Sequence, residues 1–240
     1  TTGLDPPLAA SITMSNSLPV PVADTTIGKM NTVQTIDPMA NDTATGTKAF
    51  TPTTVKLCAA NETPNSCTAT TLMVANEGTY TVNATTGVIT FTPLSTFSGV
   101  ATPVAYQVTD TGNATISSTY TPTVVPLPAL TADTSTGTYL QPQTIASPLT
   151  NDTASSLTTL DGTTLKFCAT TETPNACTKT SGTITTADGT YAINPNGTLT
   201  FTPLASFKGT VTQPLKYQVA DAVGNIANST ITPYVTPPRS

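Results

Sequence analysis

The chain has 240 residues, of which only 9% are charged, and it carries a formal net charge of −5 with a mean hydropathy of +0.02. With no basic patch to neutralise phosphates and no run of about 20 apolar residues to span a bilayer, neither nucleic-acid binding nor helical membrane insertion is expected. There is no histidine, so the commonest general base and metal ligand is missing.

Threonine supplies about a quarter of the residues, and its branched Cβ suits a pleated, half-exposed surface. With 21 prolines and 14 glycines, the composition reads as strands punctuated by turns. The chain opens at Thr1 without methionine, as expected of a processed product or an excised segment. Over residues 1–17, Leu8, Ala10, Ile12 and Met14 alternate with small or polar residues, which predicts a strand with one apolar face. That strand has three readings: the end of a preceding repeat, an extra strand of the first module, or a donor strand for a neighbouring subunit.

From Leu18 onward the sequence is one module used twice, with an offset near 110. Asn41-Asp42-Thr43 recurs as Asn151-Asp152-Thr153, and Glu62-Thr63-Pro64-Asn65 recurs as Glu172-Thr173-Pro174-Asn175. Cys58 and Cys67 recur as Cys168 and Cys177. Each pair is local and repeated, so the predicted disulfides are 58–67 and 168–177, which imply an oxidising compartment. A metal site would need four converging Cys or His ligands, and the two pairs sit in separate modules, so no metal or cofactor is expected.

Further along, Tyr80 and Val82 match Tyr191 and Ile193, while Ile89 and Phe91 match Leu199 and Phe201. Val104, Tyr106 and Val108 repeat as Leu215, Tyr217 and Val219. The apolar period of two predicts strands with one buried face, bounded by turns at Gly87, Pro93, Gly99 and Asp110–Asn113. The fold class is therefore all-β, two tandem β-sandwich modules of six to eight short strands each. The joint at Val125-Pro126-Leu127-Pro128 favours extended, semi-rigid backbone, so the modules are expected end to end as a rod. The expected divisions are 1–17, 18–125, 126–236 and a tail at 237–240.

Charged positions shared by the copies are Asp24/Asp133, Asp42/Asp152, Lys56/Lys166, Glu62/Glu172 and Asp110/Asp221. The acids are read as turn caps, and no catalytic residue is assigned. Calcium at Asp110 and Asp221 is disfavoured because the second copy is expected to carry an extra residue in that turn. Lys56 lies between Val55 and Leu57 on the alternate face, so it is read as solvated and not as a cross-linking lysine. Seven Asn-x-Ser/Thr sequons are expected by chance in so threonine-rich a chain. A binding module is the rival class, but tryptophan is absent, and the threonines form no single T-x-T run that would suit ice.

Taken in order, Gly78-Thr79-Tyr80-Thr81-Val82, Thr86–Pro93, Phe97-Ser98-Gly99, Pro103–Asp110 and Tyr120–Val124 resemble the CshA-type fibril repeat of bacterial fibrillar adhesins. The second copy follows with Gly189-Thr190-Tyr191, Phe201-Thr202-Pro203, Phe207-Lys208-Gly209, Tyr217-Gln218-Val219 and Thr232–Val235. The resemblance covers roughly residues 18–236 and implies a non-catalytic stalk on the bacterial cell surface that projects a ligand-binding tip. It departs from the streptococcal pattern in having a cysteine pair per repeat. The expected partners are adjacent repeats or further copies of the chain, with any host ligand bound by another domain. The alternative is a subunit that polymerises head to tail through residues 1–17.

Overall fold

The computed structural model describes residues 17–239. Two compact units divide the chain. One takes residues up to Thr26 with Val33–Leu94 and Ala101–Pro122, and the other takes Ile27–Thr32, Ser95–Val100 and the residues from Thr123 on. The predicted N-terminal strand at Leu8–Met14 lies outside the described residues.

The first repeat runs through β1 (Asp24–Lys29), β2 (Gln34–Ile36), β3 (Phe50–Leu57), β4 (Thr71–Val74), β5 (Gly78–Val82), β6 (Ile89–Pro93), β7 (Gly99–Val100), β8 (Val104–Asp110) and β9 (Thr115–Val125). One sheet has the order β1-β9-β8-β3 with β7 also on β9, and the other has the order β2-β6-β5-β4. The second repeat comprises β10 (Asp133–Thr138), β11 (Gln143–Ile145), β12 (Leu160–Phe167), β13 (Gly182–Thr185), β14 (Gly189–Ile193), β15 (Leu199–Pro203), β16 (Gly209–Thr210), β17 (Leu215–Asp221) and β18 (Ile226–Thr236). Its sheets repeat the pattern as β10-β18-β17-β12 with β16 on β18, and β11-β15-β14-β13.

The all-β sandwich expectation holds. Nine strands per repeat among the described residues exceed the expected six to eight. The surplus lies in β7 and β16, of two residues each, and in β2 and β11, of three. Alternation needs at least four residues to be legible, so such short elements leave no periodic signal.

The alternating positions face inward as the period of two requires. Tyr80, Ile89, Phe91, Tyr106 and Val108 are fully buried in the first repeat, as are Tyr191, Leu199, Phe201, Tyr217 and Val219 in the second. In the second core, Phe167, Leu215 and Ile231 from one sheet meet Ile184, Tyr191 and Phe201 from the other. Outward positions carry threonine. Register places Thr71 opposite Thr81, Thr81 opposite Thr90 and Thr90 opposite Thr35, a row across all four strands of the β2-β6-β5-β4 sheet. This row comes from four separate segments, which is why no single T-x-T run announced it.

A register shift interrupts β3 against β8 between Thr51 and Lys56, and β12 against β17 between Asp161 and Lys166. Threonine repairs the ladder at both shifts. The Thr54 hydroxyl donates to the Thr51 carbonyl at 2.6 Å and accepts the Thr109 N–H at 2.9 Å. The Thr164 hydroxyl likewise donates to Asp161 and accepts from Ala220. A side-chain oxygen thus stands in for the carbonyl that the bulge displaces.

The turns after Asp110 and Asp221 are the same length, which corrects the expected insertion there. Asp110 N–H bonds Ala114 O and Asp221 N–H bonds Asn225 O, both at 2.9 Å. The Asp110 carboxylate also accepts the Gly112 and Ala114 amides, at 2.8 and 2.9 Å, so this turn has no room for another residue. The second copy is instead one residue shorter between β14 and β15, and one longer between β11 and β12, between β12 and β13, and in the exposed loop around Gln213, between β16 and β17.

Candidate functional site

Both repeats bury a tyrosine hydroxyl beneath a pair of aspartates. Tyr106 reaches inward from β8, and its hydroxyl lies 2.7 Å from Asp24 Oδ2, 3.0 Å from Pro38 O and 3.2 Å from Asp42 Oδ2. Tyr217 on β17 donates to Asp152 Oδ2 at 2.8 Å, with Thr131 O at 3.4 Å. The second oxygen of the same aspartate accepts a backbone amide of the segment that enters the repeat, Val22 N–H at 2.6 Å or Thr131 N–H at 2.8 Å. Isolated bridges between Val20 and Thr43, and between Ala129 and Thr153, fasten the same segments. Asp42 and Asp152 are therefore clasps that tie the incoming chain to a core tyrosine, and Asp24 joins the first of them. They are not the turn caps that their local sequence suggested. The signal was present in the paired retention of Asp24/Asp133, Asp42/Asp152 and Tyr106/Tyr217, but only the fold brings the three together.

The electrostatics of the two acid types diverge. Burial pushes the Asp24 carboxyl above its ordinary value, and the Asp42 charge adds to this against the opposing Tyr106 hydrogen bond. Burial also raises Asp42 and Asp133. Asp110 goes the other way, held down to about 2 by the neighbouring Thr45 side chain and by the amides of Ala114, Thr45 and Gly112. The linkage signs are opposite. Asp24 and Asp42 bind a proton more tightly when folded, so their contribution to stability is full below the unfolded value and is lost as pH rises through the folded one. Asp110 contributes above its unfolded value and loses that contribution as pH falls towards about 2. A carboxyl 13C titration is expected to place Asp110 lowest and Asp24 and Asp42 above the ordinary carboxylate range. Coincident titration of all three would refute the clasp electrostatics.

The cysteines form two disulfides, Cys58–Cys67 and Cys168–Cys177, with Cα atoms 4.4 and 4.2 Å apart. Each closes a loop whose interior is organised by one glutamate. Glu62 accepts the Ala59 amide at 2.8 Å and the Thr68 amide at 3.1 Å, and Glu172 does the same with Ala169 and Thr178. The Thr68 and Thr178 hydroxyls, together with these amides, hold both glutamates below their usual range. From the adjoining strand, Gln107 accepts the Cys67 amide at 2.7 Å and Gln218 accepts the Cys177 amide at 2.8 Å. Replacing both cysteines of one pair with serine is expected to cost that repeat roughly 2.5–3 kcal/mol, the chain-entropy value for so short a loop. Thermal melts of Cys58→Ser/Cys67→Ser that match the parent would contradict it.

Lys56 sits between buried Val55 and Leu57, and Lys166 between partly buried Leu165 and buried Phe167; both lysines are themselves half-buried on the opposite face. One pair of acids escaped the sequence comparison because the residue types differ. Glu77 accepts the Thr102 amide at 2.8 Å, and Asp188 accepts the Thr212 amide at 2.6 Å, each stitching the turn before a glycine to the loop ahead of the next long strand.

Two tyrosines are anomalous. The hydroxyls of Tyr80 and Tyr191 are buried with no hydrogen-bond partner among the described residues. Tyr80→Phe and Tyr191→Phe are therefore expected to stabilise their repeats by about 1 kcal/mol, since an unpaired buried hydroxyl is costly. A urea midpoint that falls in either variant would count against this reading.

The second repeat has two shallow clefts. One of about 260 Å3 is lined by Cys168, Glu172, Thr212, Gln213 and Lys216. The other, about 390 Å3, is lined by Ser147, Leu149, Thr163, Phe167 and Asn194. No group of three or more Cys, Asp or Glu side chains among the described residues is placed to hold a metal ion. No helix among them is long and apolar enough to cross a membrane.

Residues 16–124 and 127–235 each match the family described as the surface adhesin CshA repetitive domain. No curated protein matches the sequence. Similar solved structures include Sidekick-1 immunoglobulin domains 1–4, at 13% identity and a TM-score of 0.34 over 91% of this chain and 49% of that one. The insect immune protein hemolin matches at 15% identity and a TM-score of 0.35, covering 93% of this chain and 52% of its own. The human desmocollin-1 ectodomain matches at 12% identity and a TM-score of 0.40, covering 94% and 43% respectively. The chain thus spans about half the length of these structures or less.

Proposed function

The chain belongs to the surface adhesin CshA repetitive-domain family, and from that premise we propose that it is a stalk segment of a bacterial surface fibre. Its role in this reading is to project and link, and it catalyses nothing. The observation that carries the reading is the use of the duplicated acids. Asp42, Glu62 and Asp110, with their counterparts Asp152, Glu172 and Asp221, all spend their carboxylate oxygens on the chain's own amides and hydroxyls. Groups that a catalytic or binding site would turn towards a ligand are here part of the scaffold, and they are so twice. Residues 18–125 and 126–236 are the repeating units, adjacent repeats are the partners, and the location is the extracellular face of the cell. The disulfides accord with an oxidising compartment.

Electron microscopy of the purified chain tests the reading, with short monomeric rods as the expected result. The apolar alternation of Leu8, Ala10, Ile12 and Met14 favours the second reading, a subunit that polymerises by donating a strand to a neighbour. Filaments that disappear on deletion of residues 1–17 would replace the stalk segment by that subunit.

A further inference from the structure

We infer that the second repeat is a tension-bearing module, in which β10 and β18 form a shear clamp across the points where the chain enters and leaves. β10 pairs with β18 in parallel, from Asp133 opposite Ile231 to Thr138 opposite Thr236. The chain enters the repeat at the start of β10 and leaves it after the end of β18. Because the two strands run the same way, opposite pulls on entry and exit slide one along the other. The inter-strand bonds of a parallel ladder are evenly spaced along its length, so such a pull loads all of them together. A pull that separates neighbouring strand ends would break them one at a time.

The surroundings of β10 fit this role. β18 is anchored in the core by Ile231 and Val235, both fully buried, whereas the residues of β10 are at most half-buried. Resistance on the β10 side therefore comes from the ladder and from polar ties at its start, middle and end. At the start, Asp152 holds Thr131 N–H and the Tyr217 hydroxyl, both at 2.8 Å. Ala129 also bridges Thr153, with N···O distances of 2.8 and 3.0 Å. In the middle, Gln143 accepts from the Ser135 hydroxyl at 2.7 Å and donates to Tyr234 O at 3.3 Å, joining both strands through one side chain. Gly137 makes room for it, since a Cβ there would lie 2.6 Å from Gln143 Nε2. At the end, the Thr236 hydroxyl donates to Gly137 O at 3.2 Å.

The inference rests on the stalk reading only for the origin of the load, and the clamp itself is tested on the isolated chain. The measurement is single-molecule force spectroscopy of the full 240-residue protein. One tethering uses the two chain ends, and a second uses the C-terminus and a chemical handle at exposed Leu140, which peels β10 from its far end. Cys168→Ser/Cys177→Ser identifies the second repeat, because freeing its loop lengthens that unfolding step by about 28 Å. The unfolding force of that step is expected to be about two-fold or more higher when the ends are pulled than when β10 is peeled. Asp152→Ala is expected to lower the end-to-end force and leave the peeling force unchanged. Equal forces in the two geometries would overturn the clamp, whatever microscopy says of the stalk. Filaments in place of rods would revise the stalk reading and leave the clamp standing.

Discussion

Gly189→Ala is expected to destabilise the second repeat by about 3 kcal/mol or more, the upper end for an overpacked core. The reason is steric and specific. A Cβ at this position would lie 2.4 Å from Thr202 O, 2.8 Å from Phe201 Cε2 and 2.9 Å from Phe201 Cζ. The first obstacle is backbone held in the β14–β15 ladder, where Gly189 pairs with Pro203, so it has nowhere to move. The backbone angle is not the issue, because this glycine has no left-handed φ. Gly78 in the first repeat meets the same geometry, with Thr92 O at 2.4 Å and Phe91 Cε2 at 2.7 Å. Urea denaturation followed by probes in each repeat checks the expectation. A variant as stable as the parent would show that the close approach is not real.

Phe201→Ala should cost the same repeat about 3–5 kcal/mol through lost burial and the cavity left behind. Phe201 is fully buried, and its ring lies 4.6 Å from that of Tyr191 at a tilt of 38°. Its neighbours are held in the strands of two sheets, which limits how far the site can collapse. The two substitutions are also coupled, because Gly189 is empty so that this ring can lie over it. In the Phe201→Ala background, Gly189→Ala should cost measurably less than in the parent, a departure from additivity that a double-mutant cycle reads directly. Strict additivity would mean that Thr202 O alone excludes the Cβ.

Much of this was legible in one dimension. The duplication made each core position visible as an apolar residue kept in both copies, so Tyr80, Phe91 and Tyr106 were assigned inward together with their counterparts. The cysteine pairs were legible because both members lie within one short loop. The Gly-Thr-Tyr motif was visible too, but the cause of its glycine was not, since Thr92 and Phe91 approach Gly78 across a strand pair. The clasp was missed for the same reason. Asp24, Asp42 and Tyr106 are separated by 18 to 82 residues, and each has a plausible local explanation that hides the shared one.

Sequence alone thus determined the repeat, the all-β class, the inward faces and the cysteine partnering, because each follows from local period or from comparison of two copies. The tertiary structure decided everything that depends on which strand lies beside which. It set the threonine row, the locations of the inserted residues, one of them around Gln213, and the conversion of apparent turn caps into aspartate–tyrosine clasps. It also laid the second repeat's entry strand parallel to its exit strand. Strand pairing joins residues far apart in the chain, and no local pattern encodes the identity of the neighbour.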